Sequence, residues 1–460
     1  MASLSDSLEL KAALQLIERF LEEERKANNI PGMSAALVLD QETVWMKGFG
    51  FADIENKIPA SPQTPYRILS LSKIFTGTML MQLRDSGKLS LDDPVEKHSP
   101  DFRPKSRFAE SRPITFRQIA SHTSGLPGGL DKVFFPPFDP PSDEEILDGI
   151  SRIETVLPVM TENRYSDLAI SAMGHILGQI AGVPYREYVR QHILEPLGMQ
   201  STHFEVPPEA KNRAAVGYHQ SGSTVERAPP SPSAKGLDPA GGLWSTVEDM
   251  SSFISLQFSE NQTGGRQILG ATTLREMQKP VFLNSEWNAG YCIDWHTERV
   301  KDRVVIGHSG GPFLGFSTVI TLVPSLKLGF ALFTNTHTDV DGMATFALGI
   351  LMPVVEKAMA RGDRTSEGAP NAELHRYCGR YTVSSFPDVE IALVDRKLLF
   401  VESGSPPTTW LTLVPEGEHR FRIKGKYYNE GIAIFETDSS GRPTRLIIEG
   451  VVYSRVPENA

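Results

Sequence analysis

Leu8, Leu10, Leu14, Leu16, Ile17, Phe20 and Leu21 recur at near-helical spacing, which predicts an amphipathic helix over 6–28 stopped by Asn28-Asn29 and Pro31-Gly32. Two β-rich runs, 33–39 and 43–48, flank Asp40-Gln41-Glu42 and predict a hairpin. A helix is expected from Ser70, with Phe75, Met79 and Leu83 on one face and Asp85-Ser86-Gly87 as its stop. Residues 134–141 mix Phe134, Phe135 and Phe138 with four prolines, which forbids a regular element and predicts a loop carrying aromatics. Helices are predicted again at 143–152, 166–182 and 184–193, and the polar stretch 206–236 as a long surface excursion.

From 302 the pattern turns to strands. The runs 304–307, 317–323 and 328–334 have meander spacing, and a helix over 341–359 follows. Residues 361–371 are polar and read as a linker. Beyond 372, short alternating runs at 379–383, 389–393, 397–401, 410–414, 420–423, 432–437 and 445–453 are separated by Gly, Pro and Asp. Seven or eight strands in that space predict a small β-barrel or sandwich. The expected division is a domain at 1–360, the linker 361–371 and a second domain at 372–460.

Composition narrows the class. With 40% hydrophobic and 22% charged residues in 460, the chain is an ordinary globular protein and not a disordered one. A net charge of −10 argues against nucleic acid as a partner, which needs a concentrated basic footprint. No eighteen uninterrupted apolar residues occur, so no membrane span is expected. The first residues, MASLSDSLELKAALQ, lack a basic segment and an apolar core of a secretory signal. The chain therefore reads as cytoplasmic, unless a leader has been removed. Cys292 and Cys378 are too few for a disulfide framework or a Cys-rich zinc site and read as small buried hydrophobes.

Chemistry concentrates at Ser70-Leu71-Ser72-Lys73. A serine hydroxyl needs a nearby base to act as a nucleophile. If Ser70 opens a helix, Lys73 lies one turn on, on the same face, within reach of that hydroxyl. First-turn N–H groups would favour the developing negative charge. A second serine motif, Gly307-His308-Ser309-Gly310-Gly311, fits G-x-S-x-G. That elbow requires a strand, a turn and a helix, whereas Pro312 and a β-rich run follow here, so Ser309 is not expected to be the nucleophile. Isolated residues such as His203, His296 and His375 have no metal-ligand spacing, and neither a metal nor a cofactor is expected.

The surroundings of Ser70, from Thr64-Pro65-Tyr66-Arg67-Ile68-Leu69 to Gly87-Lys88-Leu89-Ser90-Leu91-Asp92-Asp93-Pro94, resemble the active-serine segment of the serine β-lactamase and penicillin-binding-protein superfamily. The nearest likeness is to class C β-lactamases, D-aminopeptidases and family VIII carboxylesterases. Further segments match in order: Ile119 to Pro127 with His122-Thr123-Ser124-Gly125-Leu126, Tyr165-Ser166-Asp167, Glu195 to Met199, Ala240 to Ser245, and His308-Ser309-Gly310. The resemblance covers roughly 10–358, and the region 372–460 resembles a lipocalin-like barrel found after some relatives' catalytic domain. It implies an α/β (α+β) catalytic domain, with an antiparallel sheet flanked by helices and an all-helical subdomain, followed by a small antiparallel barrel.

Carried over by motif, Ser70 is the acylated nucleophile, and Lys73 and Tyr165 share the proton transfers. Ser70 and Gly311 supply the oxyanion-hole N–H groups, and His308 stands where relatives carry the lysine of K-T-G. A phenol flanked by cations is expected to have a lowered pKa. Two departures matter. Asp167 replaces an asparagine, putting an anion beside Lys73 that should keep it protonated and shift the base role toward Tyr165, unless it merely caps the following helix. His308 weakens the positive charge that would hold a substrate carboxylate. Asp167, Phe134, Phe135 and Phe138 are the expected substrate-binding residues.

These readings lead to a serine hydrolase, a carboxylesterase acting on short-to-medium acyl esters, as the first expectation. A D-amino-acid-specific aminopeptidase or peptidase, or a weak β-lactamase, is the alternative. A non-catalytic scaffold and a ligand carrier led by the barrel are different classes. The expected partner is a small ester or amide, and a homo-oligomer is a further expectation.

Overall fold

The computed structural model describes residues 7–130, 139–221, 224–230, 232–260, 267–300, 302–362, 372–394, 397–405, 410–425 and 431–457. Phe134, Phe135, Phe138 and the linker residues 363–371 lie outside the described residues. Two compact units divide the chain, Asn29–Ala344 on one side and Met1–Asn28 with Thr345–Ala460 on the other. Composition suggested a boundary at 361–371, but compactness groups the first helix and the helix after 345 with the barrel.

The unit Asn29–Ala344 is built on strands β1 (Gly32–Leu39), β2 (Glu42–Asp53), β3 (Ile58–Pro59), β4 (Tyr66–Arg67), β5 (Tyr218–Ser221), β6 (Thr224–Arg227), β7 (Trp244–Ser245), β8 (Phe282–Leu283), β9 (Ala289–Tyr291), β10 (His296–Val300), β11 (Arg303–Phe313), β12 (Phe316–Val323) and β13 (Leu328–Thr334). Nine of them form one sheet in the order β3-β2-β1-β13-β12-β11-β10-β9-β8. The pairings along it are antiparallel, from β2 on β1 to β8 on β9. β1, β12 and β13 are buried along their whole length, so both faces of the sheet are covered at its centre. The expected hairpin, meander and helices are present. Helix Asp143–Arg152 starts in a capping box in which Ser142 and Glu145 satisfy each other's backbone N–H. The stretch 206–236 is not only a surface excursion: β5 pairs with β6, and Tyr218 is fully buried with its hydroxyl donating to Glu55 at 2.6 Å.

In the other unit, β14 (Gly379–Thr382), β15 (Val389–Val394), β16 (Lys397–Glu402), β17 (Leu411–Gly417), β18 (Arg420–Lys424), β19 (Gly431–Thr437), β20 (Pro443–Ile448) and β21 (Val451–Arg455) close into a barrel in chain order. The run 445–453, read as one strand, is two, because Glu449 and Gly450 turn the chain at positive φ. Tyr377, Tyr381, Phe400, Phe421, Phe435 and Tyr453 fill the interior as a packed core. Helix Leu8–Ala27 buries Leu10, Ala13, Leu16, Ile17 and Leu21, and Phe20 stacks on Phe346 at 3.7 Å. Phe346 also meets Trp410 edge-on at 4.8 Å. The stretch Val340–Met359 is long and apolar enough to cross a membrane, although no eighteen uninterrupted apolar residues occur. More than half of it is buried inside the protein, and Pro353 lies within it, as in a core helix.

The sheet holds the Ser70 turn from two sides. The Ile68 carbonyl accepts from Thr318 Oγ1 of β12 at 3.0 Å, while Ile68 N–H donates to the Leu243 carbonyl at 3.0 Å. β4 pairs with β7, and Leu243 N–H donates to Ser72 Oγ at 3.1 Å. Gly310 of β11 lies against this turn so closely that a Cβ there would sit 2.1 Å from the Ile68 carbonyl oxygen. Gly310→Ala should therefore cost about 1–3 kcal/mol, the range for overpacking. It should also slow fluorophosphonate labelling of Ser70. Urea unfolding and labelling rates check this, and unchanged values for both would contradict it.

Candidate active site

Ser70 lies in a 3₁₀ turn, Leu69–Ser72, that runs into the helix Lys73–Asp85, rather than opening the α-helix itself. Leu69 takes a left-handed backbone with φ 50°, which turns the chain into the nucleophile. Lys73 has none of its surface exposed. Its Nζ donates to Ser70 Oγ at 3.1 Å, to Asp167 Oδ1 at 2.5 Å and to the Ala240 carbonyl at 2.8 Å, so each ammonium hydrogen has an acceptor. Ser166 caps the helix Asp167–Ala181, its Oγ accepting from Ala169 N–H at 3.0 Å. Asp167 is thus not the cap and is free to pair with Lys73.

Burial alone would strip the Lys73 charge. Asp167, by its charge and its hydrogen bond, outweighs it and holds the ammonium above its ordinary value, as the sequence led us to expect. Tyr165 corrects another expectation. Its ring lies 4.8 Å from the Lys73 ammonium, yet its pKa is raised, because burial outweighs the pull of Lys73 and the charge of Asp167 adds to it. The resting pair is an ammonium and a neutral phenol.

Gly311 falls at a bulge. Gly310 pairs with Thr318 and Phe313 with Phe316, so Gly311 is outside the β11–β12 ladder, at φ 121°. It lines the same cleft as Ser70. That cleft, about 230 Å³ and open to solvent, is lined by Arg67, Leu69, Ser70, Tyr165, Asp167, Ala234, Leu237, Ala240, Gly241, Gly311 and Phe313. Arg67 NH1 donates to the Pro232 carbonyl at 2.5 Å, and burial pushes its pKa down to about 10. The sequence reading gave no role to Arg67, Leu237 or Phe313, because residues far apart in the chain line one wall only in the fold.

His308 does not line the cleft. Its ring lies 6.2 Å from that of Tyr165, almost wholly buried, and Nδ1 donates to the Ser309 carbonyl at 2.8 Å. Burial, then His296 and Lys73, push its pKa well below the usual value, so it is neutral. His122 stacks on Tyr165 at 4.3 Å and is also held neutral, by burial and Lys73. His296 joins this group 5.2 Å from His308 and 4.2 Å from Tyr291, and is pushed down as well. An isolated histidine in the sequence is thus part of an imidazole–tyrosine cluster behind the nucleophile. Among the described residues no three acidic, histidine or cysteine side chains are grouped to hold a metal ion. Ser309 pairs with Val319 inside the sheet and donates to Asp341 at 2.5 Å, so the G-x-S-x-G run is strand and not an elbow. Burial pushes both cysteine thiols up to about 12, in keeping with their reading as small buried side chains.

The fold and this Ser-x-x-Lys arrangement define a protein of the β-lactamase class. The beta-lactamase family model matches residues 17–350, and the chain belongs to that family, whose members are serine hydrolases. It is 30% identical over 360 residues to beta-lactamase-like protein 2 of Dictyostelium discoideum, covering 76% of this chain and 64% of that protein. The chain thus spans less than two thirds of that relative. The octameric penicillin-binding-protein homologue of Pyrococcus abyssi superposes with a TM-score of 0.64 at 24% identity, over 96% of this chain and 99% of that one. EstCE1, a hydrolase with promiscuous acyltransferase activity, gives 0.63 at 19% identity, over 72% of this chain and 96% of its own. At these identities the two structures share the fold.

One carboxyl in this interior escaped the sequence reading. Asp294, between Ile293 and Trp295, is 1% exposed, and neither oxygen has a hydrogen-bond partner among the described residues. It lies against Gly77, one turn beyond Lys73, at a left-handed φ of 55°. An acid inside a buried apolar run was the available signal. Burial raises its pKa well above the ordinary 3.8, against the pull of Lys73, so it stays protonated. An acid whose folded pKa is raised loses stability as pH rises from its unfolded value through the folded one. Asp294→Asn should therefore gain stability over the parent progressively as pH rises above about 4. Thermal melts across that range check this, and a difference independent of pH would contradict it.

Proposed function

We propose that the protein hydrolyses short-to-medium acyl esters through an acyl-enzyme on Ser70. The observation that carries this reading is the fully buried Lys73 ammonium, 3.1 Å from Ser70 Oγ, at the base of a cleft with apolar walls. Leu69, Leu237, Ala240 and Phe313 offer apolar surface to an acyl or alkyl group. Neutral His308, buried behind Tyr165, supplies no fixed positive charge for a substrate carboxylate, and the Arg67 guanidinium on the cleft wall is already engaged by the Pro232 carbonyl. Both features favour an ester over an anionic β-lactam.

The substrate carbonyl sits between Ser70 Oγ and the N–H groups of Ser70 and Gly311, which bind the oxyanion. Attack requires the Lys73–Tyr165 couple to have lost one proton. The deprotonated couple takes the Ser70 proton as Oγ bonds to the carbonyl carbon. The same proton then passes to the departing alkoxide, and Tyr165, on the same cleft as Ser70 with its ring 4.8 Å from the Lys73 ammonium, is suited to deliver it. Water repeats the sequence on the acyl-enzyme and frees Ser70. EstCE1 is a hydrolase of the same fold, and the Pyrococcus protein is an octamer; a homo-oligomer is proposed here too, with light scattering as its check.

Ser70→Ala should abolish turnover of p-nitrophenyl esters, while Lys73→Ala and Tyr165→Phe should each lose about 10²–10⁴-fold. Ser309→Ala should stay far more active than Ser70→Ala. Kinetics with esters, D-amino-acid amides and nitrocefin, together with intact-mass mapping of the adduct, check this. An adduct elsewhere would refute the mechanism. A kcat/KM for nitrocefin or a D-amino-acid amide above every ester would refute the substrate class alone.

A further inference from the structure

We propose that Asp167 selects acyl groups bearing a neutral hydrogen-bond donor, a hydroxyl, on the carbon next to the scissile carbonyl. The proposal rests on the reading of Ser70 as the acylated residue and names the substrate class of that site.

Asp167 is the first residue of its helix, but Ser166 does the capping, so the carboxylate is not used up by the helix end. Lys73 takes Oδ1 at 2.5 Å, and among the described residues Oδ2 has no hydrogen-bond partner. The side chain keeps 22% of its surface exposed and lines the cleft beside Ser70, Tyr165 and Gly311. A single ammonium separates the carboxylate from Ser70 Oγ, so its open oxygen meets the substituent nearest the acyl carbon. An ionised carboxylate only accepts hydrogen bonds. It rewards an O–H or N–H at that place and repels a carbonyl or ether oxygen, the reverse of what an amide donor would do. An ammonium would donate too, but Lys73 already shares this carboxylate and Arg67 lines the same cleft, so two cations oppose a third. A hydroxyl carries no such penalty.

The test compares p-nitrophenyl esters of propionic, lactic (both enantiomers), 2-methoxypropionic and alanine acyl groups, which share one leaving group. With the parent protein, kcat/KM for one lactyl enantiomer should exceed propionyl by about 10–100-fold, the scale of a hydrogen bond to a charged group, and 2-methoxypropionyl should fall below propionyl. In Asp167→Asn the lactyl-to-propionyl ratio should collapse toward unity. A change in Lys73 basicity moves all the esters together, so the ratio isolates specificity from the proton transfers. A parent ratio near one, or one that survives in Asp167→Asn, overturns the proposal. So does an alanyl ester ahead of both lactyl esters, because it contradicts the charge argument. Failure of the acyl-enzyme reading itself shows separately, as no turnover of any ester and no fluorophosphonate adduct on Ser70, and takes this proposal with it.

Discussion

Burying an ammonium without partners costs several kcal/mol even after the surroundings relax. Lys73 has no exposed surface and keeps its charge, so the fold must bring it three acceptors at once. They come from three separate segments: Ser70 from its own turn, Asp167 from the start of a second helix and the Ala240 carbonyl from the approach to β7. Each segment is itself anchored. Thr318 and Leu243 hold the Ser70 turn, and Ser166 caps the Asp167 helix. At Gly174 that helix comes so near Pro239 that a Cβ would lie 2.4 Å from its ring. The sheet and helices are the scaffold that makes a dry ammonium tolerable next to a serine.

Four titratable groups around that ion pair are kept uncharged. Tyr165 remains a phenol, His122 and His308 neutral imidazoles and Asp294 a carboxylic acid. Burial is the first cause in every case, and the sign of its effect differs between acids and bases. The catalytic couple therefore rests with one proton too many. On the proposed mechanism its working form becomes more populated as pH rises. Asp167 has two effects here: it stabilises the ammonium that delays attack, and it presents an anion to the cleft.

What the sequence made legible was local. Helix 143–152 was expected from its local pattern, and the seven short runs from 379 became eight barrel strands because alternation is a nearest-neighbour property. Ser70, Lys73 and Tyr165 came from motif spacing, and the fold brings them together. The left-handed Leu69 could not be read, since a leucine carries no signal for positive φ; the neighbouring Ile68 is held by Thr318 and Leu243, on segments far away in the chain. The Tyr165 pKa was misjudged because cations are visible in a motif and burial is not. His296 looked isolated because its neighbours, Tyr291 apart, lie on distant segments. The affiliation of the first helix with the barrel rests on contacts far apart in the chain, such as Ser403 Oγ donating to Glu23 at 3.1 Å and Phe20 stacking on Phe346, whose ring meets Trp410.

The central claim is that the Lys73–Asp167 ion pair sets the protonation of the base. The pH dependence of the rate of fluorophosphonate labelling at Ser70, in the parent and in Asp167→Asn, tests it without any assumption about substrate. Removing the anion should lower the Lys73 pKa, so the rising limb of the variant should move to lower pH. Coincident limbs, or a limb displaced to higher pH in Asp167→Asn, would contradict the account.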